Sequence, residues 1–169
     1  MDASLKTGNI QLDRQLERWY PLMDHHVQLN LITAVKRGIR FPLVPAGRRS
    51  GKTERFKRFL VKQCNSVIGQ YFAAAPTHDL LALTLSTTHS RKPNVSERII
   101  YMDNGSEIHV LGLDKPQRIE GIPWTGGGID EFADLKPEAW ESNIYPALNT
   151  VNPTRPEYRA WCWLLGVPD

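Results

Sequence analysis

The chain has 169 residues, of which 41% are hydrophobic and 23% charged, with 12 Gly and 12 Pro; that is the length of one domain and a composition that excludes collagen-like and low-complexity chains. A core can form at this size without disulfide or metal staples, and Cys64 and Cys162 make no Cys-x-x-Cys pair, so an intracellular, reduced protein is expected. The formal charge of +3 permits a polyanion partner without demanding one, no apolar run approaches the roughly 18 residues that span a bilayer, and Met1–Ile10 does not read as a secretory signal.

Leu12–Trp19 reads as a helix, with Leu12, Leu16 and Trp19 at i, i+4 and i+7, broken by Pro21. His26–Arg37 reads as a second helix that Gly38 stops. Phe41–Val44 is expected as a strand, and Thr53–Val67 as a helix with Phe56, Phe59, Leu60 and Cys64 inward. Arg55, Lys57, Arg58 and Lys62 occupy its other face, either as a solvated helix surface or as a contact for nucleic-acid phosphates. Tyr71–Ala75 is a strand closed by Pro76. A helical stretch near Leu80–Leu85 and a polar loop over Ser86–Ser96 follow; Arg91 and Lys92 make that loop a second candidate DNA contact. Arg98–Met102 and Glu107–Leu111 flank Asn104-Gly105, a hairpin signal. Trp124–Ile129 leads to Asp130-Glu131, Pro137–Leu148 is expected to be helical, and Ala160–Leu165 is the last strand. Strands alternating with helices imply an α/β domain with a mainly parallel sheet.

The segment from Ala46 to Thr53, Ala-Gly-Arg-Arg-Ser-Gly-Lys-Thr, lies between a strand and an amphipathic helix. That is the setting of a phosphate-binding loop, in which backbone N–H groups and the helix N-terminus face phosphate oxygens. Lys52 would reach the β- and γ-phosphates and Thr53 would place its hydroxyl on Mg²⁺. Ala46 stands where the consensus has its first glycine, and Gly47 comes one residue late. A basic turn before a surface helix is the alternative. Downstream, Ile129-Asp130-Glu131 supplies two adjacent carboxylates. Asp130 could hold the Mg²⁺ shell and Glu131 could orient and polarise an attacking water. The preceding Gly126-Gly127-Gly128 is unusual for a buried strand, which is ordinarily apolar.

Together these motifs resemble the ATPase domain of the large terminase subunit of tailed bacteriophages, from about Gln28 to Pro168. Gly47-Arg48-Arg49-Ser50-Gly51-Lys52-Thr53 is similar to that family's arginine-bearing Walker A variant, in which the late glycine is usual. Ala75-Pro76-Thr77, Arg118-Ile119-Glu120-Gly121, Ile129-Asp130-Glu131 and Pro146-Ala147-Leu148 follow in the family's order. Gly166-Val167-Pro168 resembles the coupling motif, with Val167 in place of the usual threonine. The resemblance implies an α/β P-loop NTPase of the ASCE type, a three-layer sandwich with a mainly parallel central sheet. It divides the chain into a helical lead-in over 1–40, which would include an adenine-binding segment, and a P-loop core over 41–169. The central place expected for the phosphate-loop strand sits awkwardly with Pro42 and Pro45. The chain stops just past the coupling motif, so it reads as C-terminally truncated, with the family's nuclease domain and nuclease activity absent.

The resemblance further implies ATP and Mg²⁺ as ligands and assigns roles. Arg48 would hold the γ-phosphate, Arg49 would belong to the loop, and Gln28 would read the adenine edge. Arg118 would be an arginine finger acting on a neighbouring subunit, or else a surface residue paired with Glu120. Partners would be double-stranded DNA, a portal protein and a small terminase subunit, in a homo-oligomeric ring within the host cell cytoplasm and with no membrane. A helicase-like or other nucleic-acid-stimulated ATPase, and a nucleotide-binding fragment without turnover, remain open alternatives. The five histidines show no metal-ligand spacing and are expected in solvent or loops; His78 could also approach the nucleotide. Trp161 and Trp163 are expected to pack, as are Trp19 and Tyr20, which could instead stack on adenine.

Overall fold

The computed structural model describes residues 33–34, 37–47, 50–76, 98–152 and 156–167. The helices expected over Leu12–Trp19 and Leu80–Leu85, and the Ser86–Ser96 loop, lie outside them. Of the helix expected before Gly38, Thr33 and Ala34 are described as helical. The Ile39 N–H donates to the Ala34 carbonyl at 3.2 Å around a left-handed Gly38 (φ 81°), the geometry of a glycine-capped helix end.

Six strands make one sheet: β1 (Leu43–Pro45), β2 (Gln70–Ala75), β3 (Ile99–Tyr101), β4 (Glu107–Gly112), β5 (Trp124–Ile129) and β6 (Trp161–Gly166). Their order is β1-β6-β5-β2-β4-β3. Every pairing is parallel except the β3–β4 hairpin. β2, β5 and β6 are buried on both faces, as parallel strands covered by helices are. On one side Tyr71, Ala73, Trp161, Trp163 and Leu165 pack against Phe56, Leu60 and Cys64 of helix α1 (Lys52–Ser66). On the other, Phe72, Ala74, Ile129, Cys162 and Leu164 pack against Ile144, Ala147 and Leu148. Those last residues belong to α2, a continuous helix made of Pro137–Ala139, a π segment Trp140–Ile144, and Tyr145–Asn149. The result is three layers.

The π segment has a local cause. Pro146 has no N–H and its ring crowds the carbonyl four residues back. The helix widens one turn earlier, where the Tyr145 N–H bonds the Trp140 carbonyl, and so passes the proline without breaking.

The glycine run is explained by what covers it. A Cβ on Gly126 would lie 2.2 Å from the Trp161 ring, and one on Gly128 2.4 Å from the Phe56 ring. On Gly127 it would lie 2.4 Å from the Phe72 ring and 2.5 Å from the Phe72 carbonyl oxygen. Three aromatic rings therefore occupy the space that β5 leaves empty, and the strand is apolar through its neighbours. A register shift between β2 and β5 at Gln70/Tyr71 puts one extra residue in β5. This is why Trp124 and Ile129, at odd spacing, reach the same cluster.

Two expectations need correction. β1 is an edge strand of the described sheet, not a central one. The Ala46 N–H donates to the Gly166 carbonyl of β6 at 3.1 Å, so the alternate nitrogen of Pro45 faces the open edge, where a missing N–H costs no ladder bond. Lys57 is not on a solvated face: it is 6% exposed, on the α1 flank of Leu60 and Cys64, its aliphatic stem covered.

Remote contacts lock the ends of α1 and α2. The β3–β4 turn has a left-handed Gly105 (φ 90°) whose N–H donates to the Met102 carbonyl at 3.0 Å. From this turn the Asn104 amide and Ser106 hydroxyl donate to the Cys64 carbonyl at 2.7 and 2.9 Å, satisfying an orphan acceptor at the α1 C-terminus. The Arg40 guanidinium does the same for α2, donating to the Leu148 carbonyl and Asn149 Oδ1, both at 3.1 Å, and to the Ala160 carbonyl at 2.9 Å.

Candidate active site

All the parallel strands end along one edge of the sheet, and the acidic and basic motifs converge there. β1 feeds a turn through Ala46, Gly47, Ser50 and Gly51 into α1. Gly51 is the N-cap, in the left-handed region (φ 77°) that glycine alone enters freely. The positive end of the α1 dipole thus points back over the turn. The Lys52 ammonium donates to the Ala46 carbonyl of that same turn at 3.2 Å.

Asp130 follows the last residue of β5 and is 8% exposed. Its N–H donates to the Ala74 carbonyl of β2 at 2.8 Å, continuing the strand by one residue. The Thr53 hydroxyl donates to Asp130 Oδ2 at 2.6 Å across 77 residues of sequence, and the Glu131 N–H donates to Oδ1 at 3.0 Å. A buried carboxylate accepting two hydrogen bonds is held in one orientation. Glu131 itself is exposed and sits in the left-handed region (φ 54°, ψ 41°), capping the 3₁₀ turn Phe132–Asp134. Strained non-glycine backbone of this kind costs on the order of 1 kcal/mol or more and clusters at functional sites.

Of the residues singled out from the sequence, Lys52, Thr53, Asp130 and Glu131 are brought together, with Gly47, Ser50 and Gly51 in the adjoining turn. Arg48, Arg49 and Gln28 lie outside the described residues, as do Thr77, His78 and Pro168. Gly166 is joined directly to the turn through Ala46. Arg118 is on the 3₁₀ turn Pro116–Ile119 that follows β4, and β2 lies between β4 and β5. Its Nη1 donates to Asp114 Oδ1 at 2.9 Å and to the Gly112 carbonyl at 3.2 Å. The ion pair therefore runs to Asp114, not to Glu120, whose carboxylate accepts from the Asn143 amide of α2 instead. Opposite charges at i, i+4 were the available signal.

His109 lies neither in a loop nor in open solvent. It stands on β4, its ring nitrogen 3.0 Å from Glu107 Oε2 and edge-on to Trp124 at 5.2 Å. Among the described residues no group of His, Cys, Asp and Glu could hold a metal by itself. The hydroxyl and carboxylate oxygens of Thr53 and Asp130 are hard donors of the kind that suit Mg²⁺. No helix of the described residues is long and apolar enough to cross a membrane.

The strand order places β6 between β1, which leads into the Gly-Lys-Thr turn, and β5, which ends at Asp130. With helices on both faces and the two motifs at one edge, this defines an α/β P-loop NTPase fold of the ASCE type. No family model matches the chain, and no curated protein matches it in sequence. Solved structures do. The large terminase ATPase domain of Thermus phage P74-26 superimposes with a TM-score of 0.69 at 20% identity, over 93% of this chain and 69% of that one. The large terminase of a second, thermophilic bacteriophage, in complex with ADP, gives 0.62 at 16% identity, over 85% of this chain and 39% of that one. The chain has the fold of the large terminase ATPase domains.

Proposed function

We propose that the chain is the ATPase part of a DNA-packaging motor, hydrolysing ATP to drive double-stranded viral DNA into a procapsid. The observation that carries the reading is the 2.6 Å bond between the Thr53 hydroxyl and the buried Asp130 carboxylate, which joins the start of the phosphate-loop helix to the end of the acidic strand. The likeness to terminase ATPase domains, one of them in a chain solved with ADP, supports the choice of substrate and motor.

In this reading the N–H groups of Gly47, Arg48, Arg49, Ser50 and Gly51 cradle the phosphates. Lys52 leaves the Ala46 carbonyl for the β- and γ-phosphates, and Arg48 assists at the γ-phosphate. Thr53 and Asp130 would hold Mg²⁺, which would supply positive charge beside the substrate phosphates. Glu131 takes a proton from the water that attacks the γ-phosphorus in line, as ADP leaves. Arg118 of one subunit serves the site of a neighbour in a ring. Gln28 reads the adenine edge. Double-stranded DNA, a portal protein and a small terminase subunit are the partners, and the host cytoplasm is the place of action.

The test is Mg²⁺-dependent ATP hydrolysis with and without duplex DNA, over a range of protein concentrations. Activity should rise with concentration and fall in Glu131→Gln and Arg118→Ala. General-base loss typically costs 10²–10⁴-fold, and a lost arginine finger 10³–10⁵-fold. Unchanged activity in Glu131→Gln would remove Glu131 from its role. Binding of ATP with no turnover under any of these conditions would replace the motor with a nucleotide-binding module.

A further inference from the structure

We propose that Asp114 is a positioning residue for Arg118, setting the direction of its guanidinium; this rests on the reading of Arg118 as a cation that serves a neighbouring subunit. The backbone that carries Arg118 is held from several sides. Ile119 is fully buried and its carbonyl accepts from the Trp124 indole at 2.7 Å. Glu120 is bound by Asn143 on the π segment of α2. The N–H groups of Arg118 and Glu120 donate to the Lys115 and Gln117 carbonyls, both at 3.1 Å. A fixed backbone does not fix a side chain as long as arginine, which carries large rotamer entropy.

Asp114 and Gly112 both restrain that side chain. Both lie where β4 ends, and both accept from the same Nη1, at 2.9 and 3.2 Å. Because guanidinium is a rigid planar fork, two acceptors on one nitrogen define the plane of the whole group. The two side chains are 38% and 44% exposed, so the head group is oriented yet within reach of another molecule. An exposed ion pair adds little to stability, and Asp114 can be replaced without unfolding the chain. What it contributes is preorganisation: an arginine already held in one geometry loses less freedom when it meets a phosphate.

The test is steady-state ATP turnover by the whole chain at high concentration with Mg²⁺ and duplex DNA, for the parent, Asp114→Ala, Asp114→Asn, Arg118→Ala and Asp114→Ala/Arg118→Ala. A misdirected arginine should lower kcat on the order of tenfold in Asp114→Ala with KM for ATP unchanged, since the cation acts on the transition state. Asp114→Asn, which keeps the Oδ1 acceptor, should recover most of that loss. In the Arg118→Ala background, Asp114→Ala should add nothing. A parental kcat in Asp114→Ala, or a further loss in the double variant, overturns the proposal while leaving Arg118 in its role. A parental kcat in Arg118→Ala removes the trans-cation reading and this proposal with it. Should the parent not turn over, the ¹⁵Nε–¹H signal of Arg118 decides. Restraint in the parent and Asp114→Asn but averaging in Asp114→Ala supports the positioning role, and equal restraint in all three overturns it.

Discussion

The hydroxyl of Thr53 and the carboxylate of Asp130 meet at 2.6 Å, although one begins a helix behind an edge strand and the other ends a strand two places further in. The contact is charge-assisted and its acceptor is buried. Hydrogen bonds to charged groups contribute about 1.5–3 kcal/mol. Thr53→Ala should therefore lower the unfolding free energy by about 2 kcal/mol in denaturant titration and weaken Mg²⁺-dependent nucleotide binding measured by calorimetry. Thr53→Ser should preserve both. Equal stability of the alanine and serine variants would show that the bond is not sustained in solution.

Replacing the glycines of β5 should be costly in graded order. The Cβ of Gly127→Ala would meet the Phe72 main-chain oxygen as well as its ring, and a backbone atom in a central strand cannot step aside. A loss of about 3 kcal/mol or more is expected, at the upper end for overpacked cores. Gly126→Ala and Gly128→Ala meet ring atoms alone among their nearest neighbours and should cost less. Phe56→Leu should recover part of the Gly128→Ala loss, a coupling that a double-mutant cycle in denaturant would read directly. Additive losses would refute the ring-for-Cβ explanation.

Glu131 should show a trade between stability and turnover. Its left-handed backbone favours asparagine over glutamate. Glu131→Asn should raise stability by up to about 1 kcal/mol while removing the proposed base. Glu131→Gln should abolish turnover and leave the melting temperature where it was. A destabilised Glu131→Asn would show that the side chain, not the backbone conformation, sets the preference.

The two cysteines are fully buried, and burial pushes the Cys64 thiol up from 9.0 to about 12 and Cys162 further in the same direction. Both should remain unmodified by iodoacetamide in the native protein at pH 8 and react on unfolding. The sign for stability follows. Below about pH 9 both states keep the proton and nothing is lost. Between the unfolded and folded values the unfolded chain alone releases it, so stability should fall as pH rises from about 9 to 12. The expected slope is about 1.4 kcal/mol per pH unit for each thiol. Cys64→Ala should flatten that slope in denaturant titrations at pH 9 to 11; an unchanged slope would mean that Cys64 is not responsible.

Much of the fold was legible because it was local. The apolar spacing of Phe56, Leu60 and Cys64 gave α1 to within a residue at its ends, and Asn104-Gly105 gave the hairpin. The pairing of a Gly-Lys-Thr turn with an Asp-Glu strand end pointed to the edge where Thr53 and Asp130 do meet. What escaped was decided by distant parts of the chain. The edge position of β1 is a matter of strand order, to which Pro45 is the one local pointer. The glycine run looked unfavourable because the rings that complete it, Phe56, Phe72 and Trp161, come from α1, β2 and β6. The charge of Lys57 points to the surface, whereas its long stem lets it sit on the side of Leu60 with most of its area covered. Glu131 carries no local signal for its left-handed backbone, and the surface alternative for Arg118 names Glu120, the nearer acid in sequence, where the structure has Asp114.

The same three rings set terms for how such a sequence can drift. In most cores a small residue may grow if a neighbour shrinks, one step at a time. Here the strand has given up its side chains entirely, and each of the three bulky neighbours is anchored in a different element. Accepting even a methyl group on β5 would ask a helix or another strand to retreat at the same step. Diversification should therefore proceed in pairs along this tract, with small residues on β5 and large ones around it traded together, while the exposed Leu43 of the edge strand is free to wander alone.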